Sequence, residues 1–227
     1  MSTYVPPQKS STIFEESTSS LDVTGKVVVI TGTTTGLGFV AARTCALKGA
    51  AALILLNRPS ERAAAAHESI AALAGSGTDV VSVACDLASF GSVREAMESV
   101  RQLPLVRSAG IDVLSLNAGV MGLPDVATVD GFDLQMQTNH LSHFLIVKEL
   151  MAELDRAAHG PAGESRVVSH TSAARFGPAT TLSERYFSPS AGGSLGDEPE
   201  PFCTSPENTR PLWTASEQAI GDTLVVG

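Results

Sequence analysis

Cysteine is scarce in this chain of 227 residues: Cys45, Cys85 and Cys203 stand far apart, with no Cys-x-x-Cys. A disulfide-stapled scaffold and a thiolate zinc site are therefore excluded, and a reducing compartment, the cytoplasm, is expected. Cations are also short, 15 Lys and Arg against 24 Asp and Glu, for a net charge of −9. Such a surface repels a phosphate backbone, so nucleic acid is not an expected partner. Long apolar runs are missing as well. The longest, Ala50 to Leu56, falls far below the roughly 20 residues of a spanning helix, so no transmembrane segment is expected and the chain should be soluble. Tyrosine occurs only at positions 4 and 186, and no lysine follows Lys148. What is present is ample apolar content, 43% of residues with a mean hydropathy of +0.15, enough for a sizeable core.

Residues 1–20 are rich in Ser, Thr and Pro and lack a signal-peptide core, which reads as a flexible leader. From Leu21 the text alternates short β-branched runs with Ala-rich stretches of helical period. That pattern marks repeated βαβ units on a parallel sheet, a doubly wound α/β domain expected over residues 21–213. Strands are expected at 26–31, 52–56, 79–84, 111–116 and 166–170, covered on both faces because their apolar residues are mostly consecutive. Helices are expected at about 37–48, 60–74, 90–102 and 132–155. Beyond Arg175 the periodicity is lost, and residues 176–212 read as a long surface loop, followed by a short tail at 214–227.

The first strand runs into Thr31-Gly32-Thr33-Thr34-Thr35-Gly36-Leu37-Gly38, where a helix opens. Glycines permit a sharp turn and close approach of a ligand, and the unpaired N–H groups of a helix start attract an anion such as a pyrophosphate. No Gly-Lys-Ser/Thr follows, which excludes a P-loop. At the end of the second strand an acid would bind a ribose 2′-hydroxyl. The chain instead reads Asn57-Arg58, an amide and a guanidinium suited to a 2′-phosphate, so NADP(H) is expected in preference to NAD(H). His140 and His143 read as an i, i+3 pair on a solvated helix face, too few for a metal site.

With these residues in view the chain resembles a short-chain dehydrogenase/reductase, with a Rossmann-type fold, from about Leu21 to Trp213. Further segments match that family's pattern in order. Asp86-Leu87 resembles the pair flanking the adenine ring, and Asn117-Ala118-Gly119 the segment that stabilises the sheet beside the cofactor. Asn139 falls where the family holds a water in a proton relay, and Ser172 matches the Ser that hydrogen-bonds the substrate oxygen. The wording around Asn139 and the insert after Ser172 are most similar to the retinol dehydrogenase and protochlorophyllide reductase-like branch, although Ser142 stands where Gly is common there. The resemblance implies an NADP(H)-dependent oxidoreductase acting on a small carbonyl or alcohol; it does not supply the oligomeric state.

The resemblance also demands a general-acid Tyr with a Lys four residues later, and no Tyr-x-x-x-Lys exists in the chain. If Trp213 matches the family's Trp before that Tyr, the two positions fall on Ser216 and Ile220. The chain is then expected to be a C-terminally truncated member whose sheet is incomplete beyond the fifth strand, leaving that strand near an exposed edge. An alternative to the working oxidoreductase is a catalytically inactive protein that retains nucleotide binding.

Overall fold

The computed structural model describes residues 18–161, 163–171 and 206–224. Its architecture is built on β1 (Val27–Thr31), five consecutive apolar or β-branched residues that are all buried. β1 pairs in parallel with β2 (Ala52–Asn57), Val28 opposite Leu53, and with β4 (Val113–Leu116), Val28 opposite Val113. β3 (Asp79–Ala84) and β5 (Arg166–Ser169) complete a parallel five-stranded sheet of order β3-β2-β1-β4-β5. This is the α/β, Rossmann-type, doubly wound arrangement expected from the sequence.

Strand alternation sends side chains to two cores. Val28, Ile30, Leu53 and Leu55 pack on one face with Ala42 and Ala46 of α1 (Gly36–Leu47) and Ile70 of α2 (Glu61–Ala71). On the other face Val29, Ile54, Leu56 and Leu114 meet Val93, Met97 and Val100 of α3 (Phe90–Gln102). The apolar stripe of α3 faces this core, as its spacing predicts. A short α4 (Pro104–Ala109), absent from the sequence reading, starts with Pro at its first position and ends at Gly110, where φ is +86°.

Three expectations need correction. First, only β1 and β2 are fully covered. β3 is half-exposed, and β5 leaves Val167 and Val168 nearly half exposed, because both are edge strands among the described residues. Second, the expected helix at 132–155 is interrupted. It consists of α5 (Leu134–Met136), a π-helical segment at Gln137–Leu141, α6 (Ser142–Glu149) and α7 (Met151–Ala158). Third, the loop reading of 176–212 fails at its end, because α8 (Pro206–Ile220) already occupies 206–212 and the first half of the expected tail. Its prolines masked the helical pattern; Pro206 opens the helix, where no N–H partner is required.

α8 docks on the outer side of α3 and α6. Trp213 meets Phe144 edge-on at 5.0 Å between ring centroids, Arg94 Nη2 donates to the Ile220 carbonyl at 2.6 Å, and Lys148 pairs with Asp222 just beyond the helix. Among the described residues no helix is long and apolar enough to cross a membrane, and no group of three His, Cys, Asp or Glu side chains could hold a metal ion. The leader through residue 17, Ser172, and positions 176–205 of the expected loop lie outside the described residues.

Candidate nucleotide-binding site

The ends of β1 and β4 lie side by side where the sheet's connections diverge, the place where open α/β sheets bind ligands. Three glycines act there in different ways. Gly32 has φ of +72°, and a Cβ on it would stand 2.8 Å from the Ala118 Cα. On Gly38 a Cβ would meet the Gly32 carbonyl oxygen at 2.2 Å and the Asn117 Nδ2 at 2.3 Å. These two glycines allow the turn to nest against the β4 loop. Gly36, at φ +61°, instead faces open space, leaving room for a ligand beside the first turn of α1.

That turn starts at Thr35, whose side chain makes no capping hydrogen bond, and contains no acid. Its N–H groups and helix dipole therefore suit an anion. Thr34 and Leu37 border the opening, Leu37 being exposed. A backbone cradle of this shape fits the pyrophosphate of a dinucleotide.

The cradle is tied together by Thr31 and Asn117. The buried Thr31 Oγ1 accepts hydrogen bonds from the backbone N–H groups of Asn117 and Ala118, both at 2.9 Å. Asn117 Nδ2 donates to the carbonyls of Thr31 and Gly32 at 2.9 and 3.1 Å, and its Oδ1 lies 2.9 Å from His170 Nδ1. Gly119 lets the chain pass close to Asn139, whose Oδ1 would be 3.4 Å from a Cβ. Asn139 clamps the next residue on both sides: Oδ1 accepts from Val120 N and Nδ2 donates to Val120 O, each at 2.8 Å.

At the end of β2 the structure separates two residues that the sequence reading grouped. Asn57 is buried, and its amide serves the glycine turn, accepting from Thr33 N at 2.8 Å and donating to Thr33 Oγ1 at 2.7 Å. Arg58 is exposed, so it is the residue of the pair available to an outside anion. Asp86 shapes the turn after β3 by accepting from Ala88 N at 3.0 Å, while Leu87 is buried in the core. Ser142, in place of the Gly common in the resembling branch, fits here because its buried hydroxyl donates to the Leu87 carbonyl at 2.6 Å.

The two histidines depart from the solvated face expected for them. His143 is buried, its Nε2 3.1 Å from Thr31 Oγ1 and its Nδ1 3.1 Å from the Asn139 carbonyl. Burial pushes its pKa down to about 4. His140 is covered by α8, with Nε2 2.8 Å from Ser216 Oγ, and burial lowers its pKa as well. The interrupted helix turns both rings inward. Ser216 also donates to the Leu212 carbonyl at 2.8 Å, and Ile220 is buried in the core. Neither presents an acid or base to the cradle.

Sequence reasoning missed Thr31, Thr33 and His143 as site-building residues. For Thr31 the signal was a hydroxyl residue ending a buried apolar strand directly before the glycine turn. For His143 it was a position one helical turn beyond Asn139.

Two outcomes follow. Gly38→Ala should lose about 1–3 kcal/mol of stability, since the added methyl collides with backbone and with the Asn117 amide. Gly75→Ala, with nothing within 4 Å, should not lose stability; equal thermal midpoints for the two variants would contradict the packing. The second concerns pH. Because the unfolded chain protonates its histidines near 6.5 while folded His143 resists until about 4, stability should be full above pH 6.5. It should fall as pH drops through that window, by roughly 3 kcal/mol. Urea unfolding at pH 7 and pH 4.5 measures this, and the drop should shrink in His143→Gln.

Comparison with known proteins agrees with this geometry. The family model for short chain dehydrogenases matches residues 26–183. An uncharacterised oxidoreductase of Schizosaccharomyces pombe is 36% identical over 60% of this chain and 39% of its own length. Retinol dehydrogenase 13 of Homo sapiens is 34% identical over 69% of this chain and 44% of its own. Among solved structures, a metagenomic short-chain oxidoreductase in complex with NADP shares 25% identity at a TM-score of 0.50, covering 64% of this chain and 60% of that one. The chain thus spans about half, or less, of the length of the curated relatives it matches. The chain belongs to the short-chain dehydrogenase/reductase family of oxidoreductases.

Proposed function

We propose that this chain binds NADP(H) in the cradle between Gly32–Gly38 and Asn117–Gly119, and that the protein it represents is an NADP(H)-dependent oxidoreductase acting on a small carbonyl or alcohol. The observation carrying the cofactor choice is the division of labour after β2. Asn57 is consumed by the glycine turn, Arg58 is the exposed member of the pair, and neither of these two positions at the end of β2 carries an acid that would repel a 2′-phosphate. A guanidinium suits phosphate because its planar fork donates two parallel, charge-assisted hydrogen bonds. The NADP complex of the metagenomic relative is in keeping with this choice.

The cofactor supplies hydride chemistry when bound. The residues of this chain hold the pyrophosphate through backbone N–H groups, face the 2′-phosphate with Arg58, and keep the β4 loop in place through Thr31, Asn117 and Asn139. Ser172 is proposed to orient the substrate oxygen, on the family resemblance alone.

A second reading, nucleotide binding without turnover by this chain, is favoured by a specific observation. If Trp213 matches the family's Trp before the Tyr, the Tyr and Lys positions fall on Ser216 and Ile220, and both are buried, one bonded to His140 and Leu212 and the other in the core. A missing general acid lowers a rate by about 10²- to 10⁴-fold.

Titration of the intact chain with NADPH and NADH tests the cofactor choice. Arg58→Ala should weaken NADPH by about ten- to hundredfold, the worth of a charged hydrogen bond of about 1.5–3 kcal/mol, and leave NADH unchanged. Equal losses for both nucleotides would refute the Arg58 assignment. NADPH oxidation with a panel of aldehydes and ketones then separates the readings, turnover supporting the enzyme and binding without turnover the second.

A further inference from the structure

Thr31 Oγ1 accepts two backbone N–H groups, from Asn117 and Ala118, which fill its lone pairs and leave it only a proton to give. Of the acceptors in reach, His143 Nε2 lies at 3.1 Å and the Ser115 carbonyl at 3.5 Å, so the imidazole is the partner of choice. A neutral imidazole that accepts at Nε2 carries its hydrogen on Nδ1. That nitrogen lies 3.1 Å from the Asn139 carbonyl, a contact that is a hydrogen bond only when Nδ1 carries the hydrogen. Asn139 in turn holds both backbone groups of Val120, and Val120 follows the loop that started the chain of bonds. The result is a closed circuit: Thr31, the 117–120 loop, Asn139, His143, and back to Thr31.

We propose that His143 is a positioning residue, locked as its Nδ1–H tautomer, whose two ring nitrogens close this circuit and so fix the 117–120 loop against the glycine turn. It touches neither cofactor nor substrate. It acts through Thr31 and Asn139, 112 and 4 residues away in sequence. The circuit spans the joint between the π-helical segment and α6, and the widened turn there is the kind of local irregularity that recurs at functional sites. The consequence for function rests on the nucleotide-binding reading above, because the fixed loop is one wall of that cradle.

The test uses the intact chain without ligand and then with NADPH. Imidazole ¹⁵N resonances of the wild type should show His143 protonated at Nδ1 and bare at Nε2; an Nε2–H tautomer overturns the proposal. Three variants divide the two links. His143→Asn keeps a donor near the Nδ1 place, His143→Gln keeps an acceptor near the Nε2 place, and His143→Leu keeps neither. In each, amide exchange at Asn117, Ala118 and Val120 should accelerate about tenfold or more while the β1 and β2 amides stay protected. Wild-type exchange in that loop in every folded variant overturns the proposal, and if none folds, the tautomer decides it. NADPH affinity should fall about tenfold in parallel. A wild-type chain that takes up no NADPH would sink the nucleotide reading, while the tautomer and loop exchange would still judge His143.

Discussion

One buried hydroxyl organises the functional end of this molecule. Thr31 closes the central strand, and burial of its oxygen is tolerable only because every hydrogen-bonding capacity is used. Two are used by the N–H groups of Asn117 and Ala118 and one by His143. A backbone N–H buried without a partner costs about 1–3 kcal/mol, so the hydroxyl supports two such groups at once. Through it the end of β1, the loop after β4 and the interrupted helix form a single unit. The glycine turn depends on that unit, since Gly32 and Gly38 are shaped to fit against Ala118 and Asn117 and would have nothing to nest against if the loop moved.

Division of roles follows from the same packing. The amides of the buried Asn57, the half-buried Asn117 and the exposed Asn139, together with the buried ring of His143, are spent on holding the cradle. What remains turned outward is the open side of Gly36, the first turn of α1, which contains no acid, and the Arg58 guanidinium. That is the chemistry of a phosphate-rich ligand. Hydride transfer asks for more, an acid and a cation over the nicotinamide, and the buried Ser216 and Ile220 of α8 supply neither. The cradle and the acid–base machinery are thus separable physical problems, and the function proposed for this chain rests on the first.

Much of this was legible in the sequence, for local reasons. The buried strands announce themselves by consecutive apolar residues, the glycine turn by its place after the first of them, and α3 by its stripe. What escaped detection depends on partners distant in the chain. That the Asn57 amide serves Thr33 rather than a ligand follows from strand register. That His143 is buried follows from Thr31 standing beneath it, which no helical period encodes. The π-helical segment has no compositional signature, and α8 was hidden by Pro206 and Pro211 amid polar residues. The edge position of β3 was equally invisible, because an apolar run reads the same at a sheet's centre and at its rim, whereas that of β5 followed from the missing family segments after it.

The central claim is that the junction at Thr31 builds a nucleotide cradle. It is tested most directly by following the amide resonances of the intact chain during an NADPH titration. Saturable, one-to-one shifts confined to residues 32–38, Arg58, Asp86–Leu87 and Asn117–Gly119 are predicted, with the start of β3 unaffected. An unchanged spectrum at millimolar NADPH, or shifts centred away from these residues, would contradict it.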